Sequence, residues 1–184
     1  MIVEQIGRQQ RQAVRRFASG VAVLTVWQGD SAVGVTVSAV TAVARDPASI
    51  AVCLRHDSLS RHAVEQAERF ALNVLSVEQE RLTGWFASPD RPRGLAQFDC
   101  VEWEPDAFSG APLIAGSLAR IGCRLINCIP AGDHDVLLAE VVTASVGEGR
   151  PLLSYAGVLH DAVLHPVARE KPGTSAVTPG LALA

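Results

Sequence analysis

Val21-Ala22-Val23-Leu24-Thr25-Val26-Trp27, then Gln28-Gly29-Asp30, then Ser31-Ala32-Val33-Gly34-Val35-Thr36-Val37 is the stretch that decides the fold. Residues 21–27 and 32–37 are runs of strand length rich in β-branched side chains. Gln28-Gly29-Asp30 supplies the glycine and aspartate that a chain reversal favours. The whole reads as a β-hairpin. Residues 41–44 and 50–54 are two more short strands, divided by a turn at Asp46-Pro47. A short helix over 60–68 and a strand over 70–75 follow.

Ser76-Val77-Glu78-Gln79 has the form of a capping box and opens a helix that runs to about Phe86. Pro89, Pro92 and Gly94 mark a loop, and residues 101–104 a strand. Residues 117–129 and 136–146 are long β segments, with Pro130-Ala131-Gly132-Asp133-His134-Asp135 as the loop between them. Residues 152–155 and 158–164 are expected to close the sheet. At the other end, Ile6, Ala13, Val14 and Phe17 recur at helical spacing over residues 2–17, and Ser19-Gly20 stops that helix. Many short strands with a few inserted helices predict a mostly β, closed Greek-key-like barrel with helical insertions, not a parallel βαβ sheet. Residues 1–165 form one domain in this reading. Residues 166–184, with Pro166, Pro172 and Pro179 and no periodicity, are read as a flexible tail.

Composition narrows the function. The chain has 184 residues, of which 48% are hydrophobic and 19% charged, enough for a sizeable core and unlike a disordered chain. A net charge of −3 offers no field for nucleic acid or an acidic membrane. Aromatic residues, at 5%, are too sparse for a base-stacking platform. The apolar stretches are too short to span a bilayer. The polar N-terminal segment, with Arg8, Arg11, Arg15 and Arg16, lacks the apolar core of a signal peptide, so a soluble cytoplasmic protein is expected. The four cysteines, Cys53, Cys100, Cys123 and Cys128, include no C-x-x-C pair. On one unbroken strand Cys123 and Cys128 would face opposite sides. They are read as reduced, packed thiols, and no metal site is expected.

Three segments could carry chemistry. Arg55-His56-Asp57-Ser58-Leu59-Ser60-Arg61-His62 lies between an apolar strand and a helix start. Ser58 and Ser60 are both possible N-caps, and free N–H groups there attract anions. Arg55 and Arg61 at that end oppose the helix dipole unless an anion is bound. A plain solvated helix cap fits the same residues. Gly34-Val35-Thr36-Val37-Ser38-Ala39-Val40-Thr41 is small and hydroxylated where a strand should end. That suits the polar rim of a flat ring, or an ordinary Thr/Val/Ser strand. Gly132-Asp133-His134-Asp135 places a histidine in a tight connection, either at a pocket rim or as a simple loop residue. P-loop, Rossmann, H-E-x-x-H and G-x-S-x-G signatures are all missing from the sequence.

Taken in order, these segments resemble the short-chain flavin reductases, the reductase components of two-component flavin-dependent monooxygenases. The resemblance runs through Arg16-Phe17-Ala18-Ser19-Gly20-Val21, Gly34-Val35-Thr36-Val37-Ser38-Ala39, Asp46-Pro47, the Ser58/Ser60 helix start and Arg69-Phe70-Ala71-Leu72-Asn73-Val74-Leu75. It continues through Gly110-Ala111-Pro112-Leu113-Ile114-Ala115-Gly116, Cys123, and Gly132-Asp133-His134 leading to Glu140-Val141. It implies an FMN-binding split β-barrel that works as a homodimer with the flavin near the subunit boundary. Thr36, Val37, Ser38, Ala39 and Thr41 match positions along the isoalloxazine and ribityl chain. Ser58 and Ser60 match the phosphate turn, with Arg55 and Arg61 beside it, and His134 matches the histidine near the nicotinamide.

The implied activity is hydride transfer from NADH or NADPH to FMN or FAD. The reduced flavin would then diffuse to a partner monooxygenase. The chain departs from the family where a Leu-Leu-Tyr-x-Arg-Gly-Arg-Tyr pattern is usual. Here it reads Leu152-Leu153-Ser154-Tyr155-Ala156-Gly157-Val158-Leu159, and Gln97 replaces a common basic residue. Two other readings are a flavin-binding barrel without turnover, yellow yet inactive with NADH, and a split-barrel oxidase of the pyridoxamine phosphate type.

Overall fold

The computed structural model describes residues 2–167, with side chains described from Gly7 onward. The elements are α1 (Ile2–Val14), β1 (Ser19–Gly20), β2 (Ala22–Gln28), β3 (Ser31–Val37), β4 (Val40–Arg45), β5 (Ala48–Arg55), α2 (Leu59–Ala67) and β6 (Arg69–Val74). Then come α3 (Glu80–Ala87), β7 (Trp103–Pro105), β8 (Pro112–Ile114), β9 (Ala119–Ala131), β10 (His134–Val146), β11 (Leu152–Tyr155) and β12 (Val158–Asp161). Short 3-10 turns cover Val77–Gln79 and Gly94–Phe98. The expected tail lies outside the described residues beyond Val167.

Seven strands form one antiparallel sheet in the order β3-β2-β6-β9-β10-β5-β4. Its two edges, β3 and β4, are consecutive in the chain and joined by Ser38-Ala39 alone. Laid flat, seven strands would set those edges roughly 29 Å apart. Three Cα–Cα steps from Val37 to Val40 reach at most about 11 Å. The sheet must therefore roll until its edges meet. No ladder pairs β3 with β4 among the described residues, so the barrel stays split along that seam. The free edge of β3 is covered by side chains instead. Gln97 Oε1 accepts the Gly34 N–H at 2.9 Å and Gln97 Nε2 donates to the Ala32 carbonyl at 2.9 Å. Arg91 donates to the Gly34 carbonyl at 2.6 Å. These bonds occupy groups that would otherwise recruit a foreign strand.

Strand alternation sorts two cores. Ala22, Leu24 and Val26 point into the barrel with Val37, Ile50, Val52, Leu54, Phe70, Leu72, Cys123, Leu137 and Ala139, while Ala63 and Val64 of α2 plug one end. Val21 and Val23 face outward, into a second cluster with Ala32, Leu75, Phe86, Phe98, Ile114 and Leu152. β2 is buried on both faces for this reason, which explains its continuous apolar run. The capping box is present, with the Ser76 N–H donating to Gln79 Oε1 at 3.2 Å.

Several expectations need correction. Residues 152–161 do not close the main sheet; β11 and β12 pair with β1 in a separate three-stranded sheet over the outer cluster. The expected six-residue loop between the long strands is only Gly132-Asp133, because β9 and β10 pair out to Ala131 and His134. Gly132 has φ +68°, which this tight reversal requires. Cys123 and Cys128 share one side after all. The ladder skips Ile126, so this β-bulge restores parity and both sulfurs pack against the inner core. Burial, helped by the nearby Asp106 charge, pushes the Cys123 thiol up to about 12. The strand β8 has no alternation to betray it. It is held by buried Asn73, whose Oδ1 accepts the Ile114 N–H at 2.7 Å and whose Nδ2 donates to the Pro112 carbonyl at 3.2 Å.

Gly34 sits where α3 and the Gly94–Phe98 turn press on the sheet. A Cβ there would lie 2.7 Å from two Phe86 ring carbons and 3.2 Å from Phe98. The rings cannot yield without moving the outer core, so Gly34→Ala should cost about 1–3 kcal/mol, measured by urea unfolding.

Candidate functional site

The carboxyl end of β5 brings the three segments together. The Cys53 N–H donates to the Ala39 carbonyl at 2.9 Å, so the 38–39 seam lies against this end. On its other side Leu54 and Arg55 pair with Asp135 and His134 of β10. The chain then turns. The Ser58 N–H donates to the Arg55 carbonyl at 3.1 Å, and the His56 N–H donates to the Asp133 carbonyl at 3.0 Å. Pairing in the barrel, not proximity in sequence, therefore makes one site of residues near 38, 58 and 134.

At the start of α2, Ser58 is the N-cap and its Oγ accepts the Arg61 N–H at 3.1 Å. Ser60, expected as an alternative cap, is instead buried inside the first turn. The N–H groups of Leu59 and Ser60 find no acceptor among the described residues, as the first turn of a helix dictates. No acidic residue lies in this turn, where the dipole would favour one. These N–H groups are left open to an anion such as a phosphate.

The two arginines differ. Arg55 forms a pair with Asp57 at 3.1 Å, both side chains about two-thirds exposed or more (67% and 71%), and so free to re-pair with a ligand. That guanidinium holds Asp57 below the usual carboxylate range. Arg61 is turned inward. Its Nε donates to Asp135 at 2.6 Å, its Nη1 to Glu65 at 2.6 Å and its Nη2 to Cys128 Sγ at 3.7 Å. Asp135 is fully buried and also lies 3.1 Å from His56 Nδ1. The His56 hydrogen bond lowers the Asp135 carboxyl most, burial works against it, and the Arg61 bond adds to the lowering.

Along the seam, the Thr36 hydroxyl donates to the Thr83 carbonyl of α3 at 2.8 Å, and Val37 is buried in the barrel. Ser38 and Ala39 are exposed, and of their backbone groups the Ala39 carbonyl is bonded to the Cys53 N–H. Thr41 is exposed too and faces outward beside Ala51. His134 opens a strand instead of sitting in a loop. Its Nδ1 lies 2.8 Å from Asp133, whose carboxyl it lowers.

Sequence reasoning missed Asp135 and His56 as members of the site. One signal was available: an aspartate one residue past the histidine, at the head of an apolar strand. A groove of about 330 Å³ lined by Val33, Leu59, Pro89, Arg91 and Gln97 opens beside the α2 start. A second cleft of about 680 Å³, between Glu78, Trp85 and Val101, shares none of these residues and lies under α3. A helix start with unpaired N–H groups beside a rim of small exposed residues is an arrangement that can bind and orient a flat ring carrying a phosphate.

A split barrel with such a rim and helix start defines a cofactor-binding barrel whose chemistry resides in what it binds. The chain belongs to the family described as the flavin reductase like domain, whose model matches residues 14–162. It is 42% identical over 177 residues to an NADPH-flavin oxidoreductase of Streptomyces viridifaciens, covering 95% of this chain and 91% of that one. The flavin reductase component BorF of a bacterial two-component tryptophan halogenase superposes with a TM-score of 0.78 at 33% identity, over 84% of this chain and 97% of that one. The Streptomyces globisporus NADH:FAD oxidoreductase SgcE6, in complex with NAD and FAD fragments, gives 0.78 at 31% identity, over 84% and 92%.

Removing the cap should loosen the anion-binding end. Ser58→Ala is expected to lower stability by about 1 kcal/mol in a chemical denaturation series.

Proposed function

We propose that this protein is an NAD(P)H:flavin oxidoreductase that binds FMN or FAD along the Ser38-Ala39 seam, with the flavin phosphate on the first turn of α2. One observation carries this reading: the exposed seam, the acid-free helix start and the Asp133-His134 turn all hydrogen-bond to the same end of β5. The bound flavin would supply the hydride acceptor and a nicotinamide the donor. The chain's part is to hold and orient. Ser38 offers its backbone N–H and C=O to the ring edge and Ala39 its N–H, the Ala39 carbonyl being held by Cys53. Leu59 and Ser60 offer N–H groups to the phosphate, and Arg55 exchanges Asp57 for it. Thr36 braces α3 against the seam, and Thr41 and Val37 shape its borders. Arg61 sets the turn from inside, while His134, half exposed, is placed to meet the nicotinamide.

Reduced flavin leaves this site for a separate flavin-dependent monooxygenase. Among the described residues no helix is long and apolar enough to cross a membrane. Four free thiols suit a reducing cytoplasm. The working unit is a homodimer. The outward face of β5, β10 and β9 carries Ala51, Cys53, Val136, Leu138 and Ile129, with Val43 bulging beside them, where a solvated face would alternate to polar residues. Thr41 belongs to this face, which brings the flavin site to the subunit boundary.

Purified protein should oxidise NADH or NADPH only when FMN, FAD or riboflavin is added. Consumption equal to the protein-free control with every flavin would overturn the reading, even if the protein binds flavin. Leu138→Lys should convert the dimer to monomer in sedimentation velocity.

A further inference from the structure

We infer that Asp135 is a positioning residue for the flavin phosphate: it clamps the α2 turn from inside the barrel, between His56 and Arg61. The inference rests on the proposed phosphate site. β10 points Asp135, Leu137 and Ala139 into the barrel, opposite Leu54, Val52 and Ile50. The pattern calls for an apolar residue at the first of these positions. A carboxylate with no solvent exposure stands there instead, and such a group persists only when fully paired.

Its partners are not spread through the core. They flank one segment: His56 precedes the Asp57-Ser58-Leu59-Ser60 turn and Arg61 follows it. The backbone bond from His56 to the Asp133 carbonyl ties the same segment to the hairpin that carries His134. Both ends of the anion-binding turn are therefore anchored to the head of β10, beside the proposed nicotinamide residue. Arg61 acts through this clamp. Its Nε and Nη1 are engaged by carboxylates and its Nη2 by sulfur, so it orients the turn while Leu59, Ser60 and Arg55 meet the anion.

A residue needed only for stability would weaken every flavin alike. A residue that sets the phosphate turn weakens FMN selectively over riboflavin, which lacks the phosphate. The test is quenching of flavin fluorescence, titrating FMN and riboflavin separately and comparing the two Kd values. The wild-type protein should favour FMN. Asp135→Asn, which keeps the shape and removes the charge, should reduce the riboflavin-to-FMN Kd ratio by about tenfold, the scale of one charge-assisted hydrogen bond. His56→Gln, at a largely exposed side chain, should move the ratio in the same direction, and it serves if the Asp135 variant does not fold. A wild-type protein that binds both flavins equally would remove the phosphate site and this role together. A wild-type preference for FMN that both variants retain would overturn the role of Asp135 and leave the phosphate site standing.

Discussion

Two residues, Ser38 and Ala39, join strands at opposite edges of a seven-stranded sheet. That short tether forces the sheet to roll, and the rest of the molecule answers to it. The rolled sheet needs its interior filled, which the alternating apolar residues of β2, β5, β6, β9 and β10 provide. It needs an end plug, which α2 provides through Ala63 and Val64. It leaves its edges unpaired with each other, and Gln97 and Arg91 cover that of β3. The seam itself stays open because no ladder joins β3 to β4 among the described residues and the connection between them is exposed.

The site is a consequence of the same geometry. A seam with no β3–β4 ladder leaves backbone groups of Ser38 and the Ala39 N–H beside small side chains. The helix that plugs the barrel must start near the barrel rim, so its free N–H groups come within reach of the seam. The hairpin from β9 to β10 closes beside them, since β10 is the neighbour of β5. The site proposed for a flat ring with an anionic tail lies where three constraints of closure meet. Little else is asked of the protein, because hydride chemistry belongs to the bound molecules.

Much of this was legible in the sequence. The hairpin of β2 and β3 showed in its β-branched runs and Gly-Asp turn, and the capping box at Ser76 marked its helix. Ser58 and Ser60 were both recognisable as possible caps, and only the structure chooses Ser58. What escaped depended on distant partners. The bulge at Ile126, which puts Cys123 and Cys128 on one side, has no local signature. β8 exists because Asn73 holds it from another strand. The separate sheet of β1, β11 and β12 could not be told from a continuation of the main one, because alternation reports faces and not neighbours. Asp135 looked like a turn residue until register put it inside the barrel. The inward turn of Arg61 follows from that and was hidden for the same reason.

Hydrogen exchange of the protein with and without FMN tests the seam-centred site most directly. If the ring lies along the open edge and the phosphate on the plugging helix, amides of Ser38 and Ala39 and of Leu59 and Ser60 should gain protection together. Protection confined to the cleft of Glu78, Trp85 and Val101, with the seam and helix start unchanged, would contradict it.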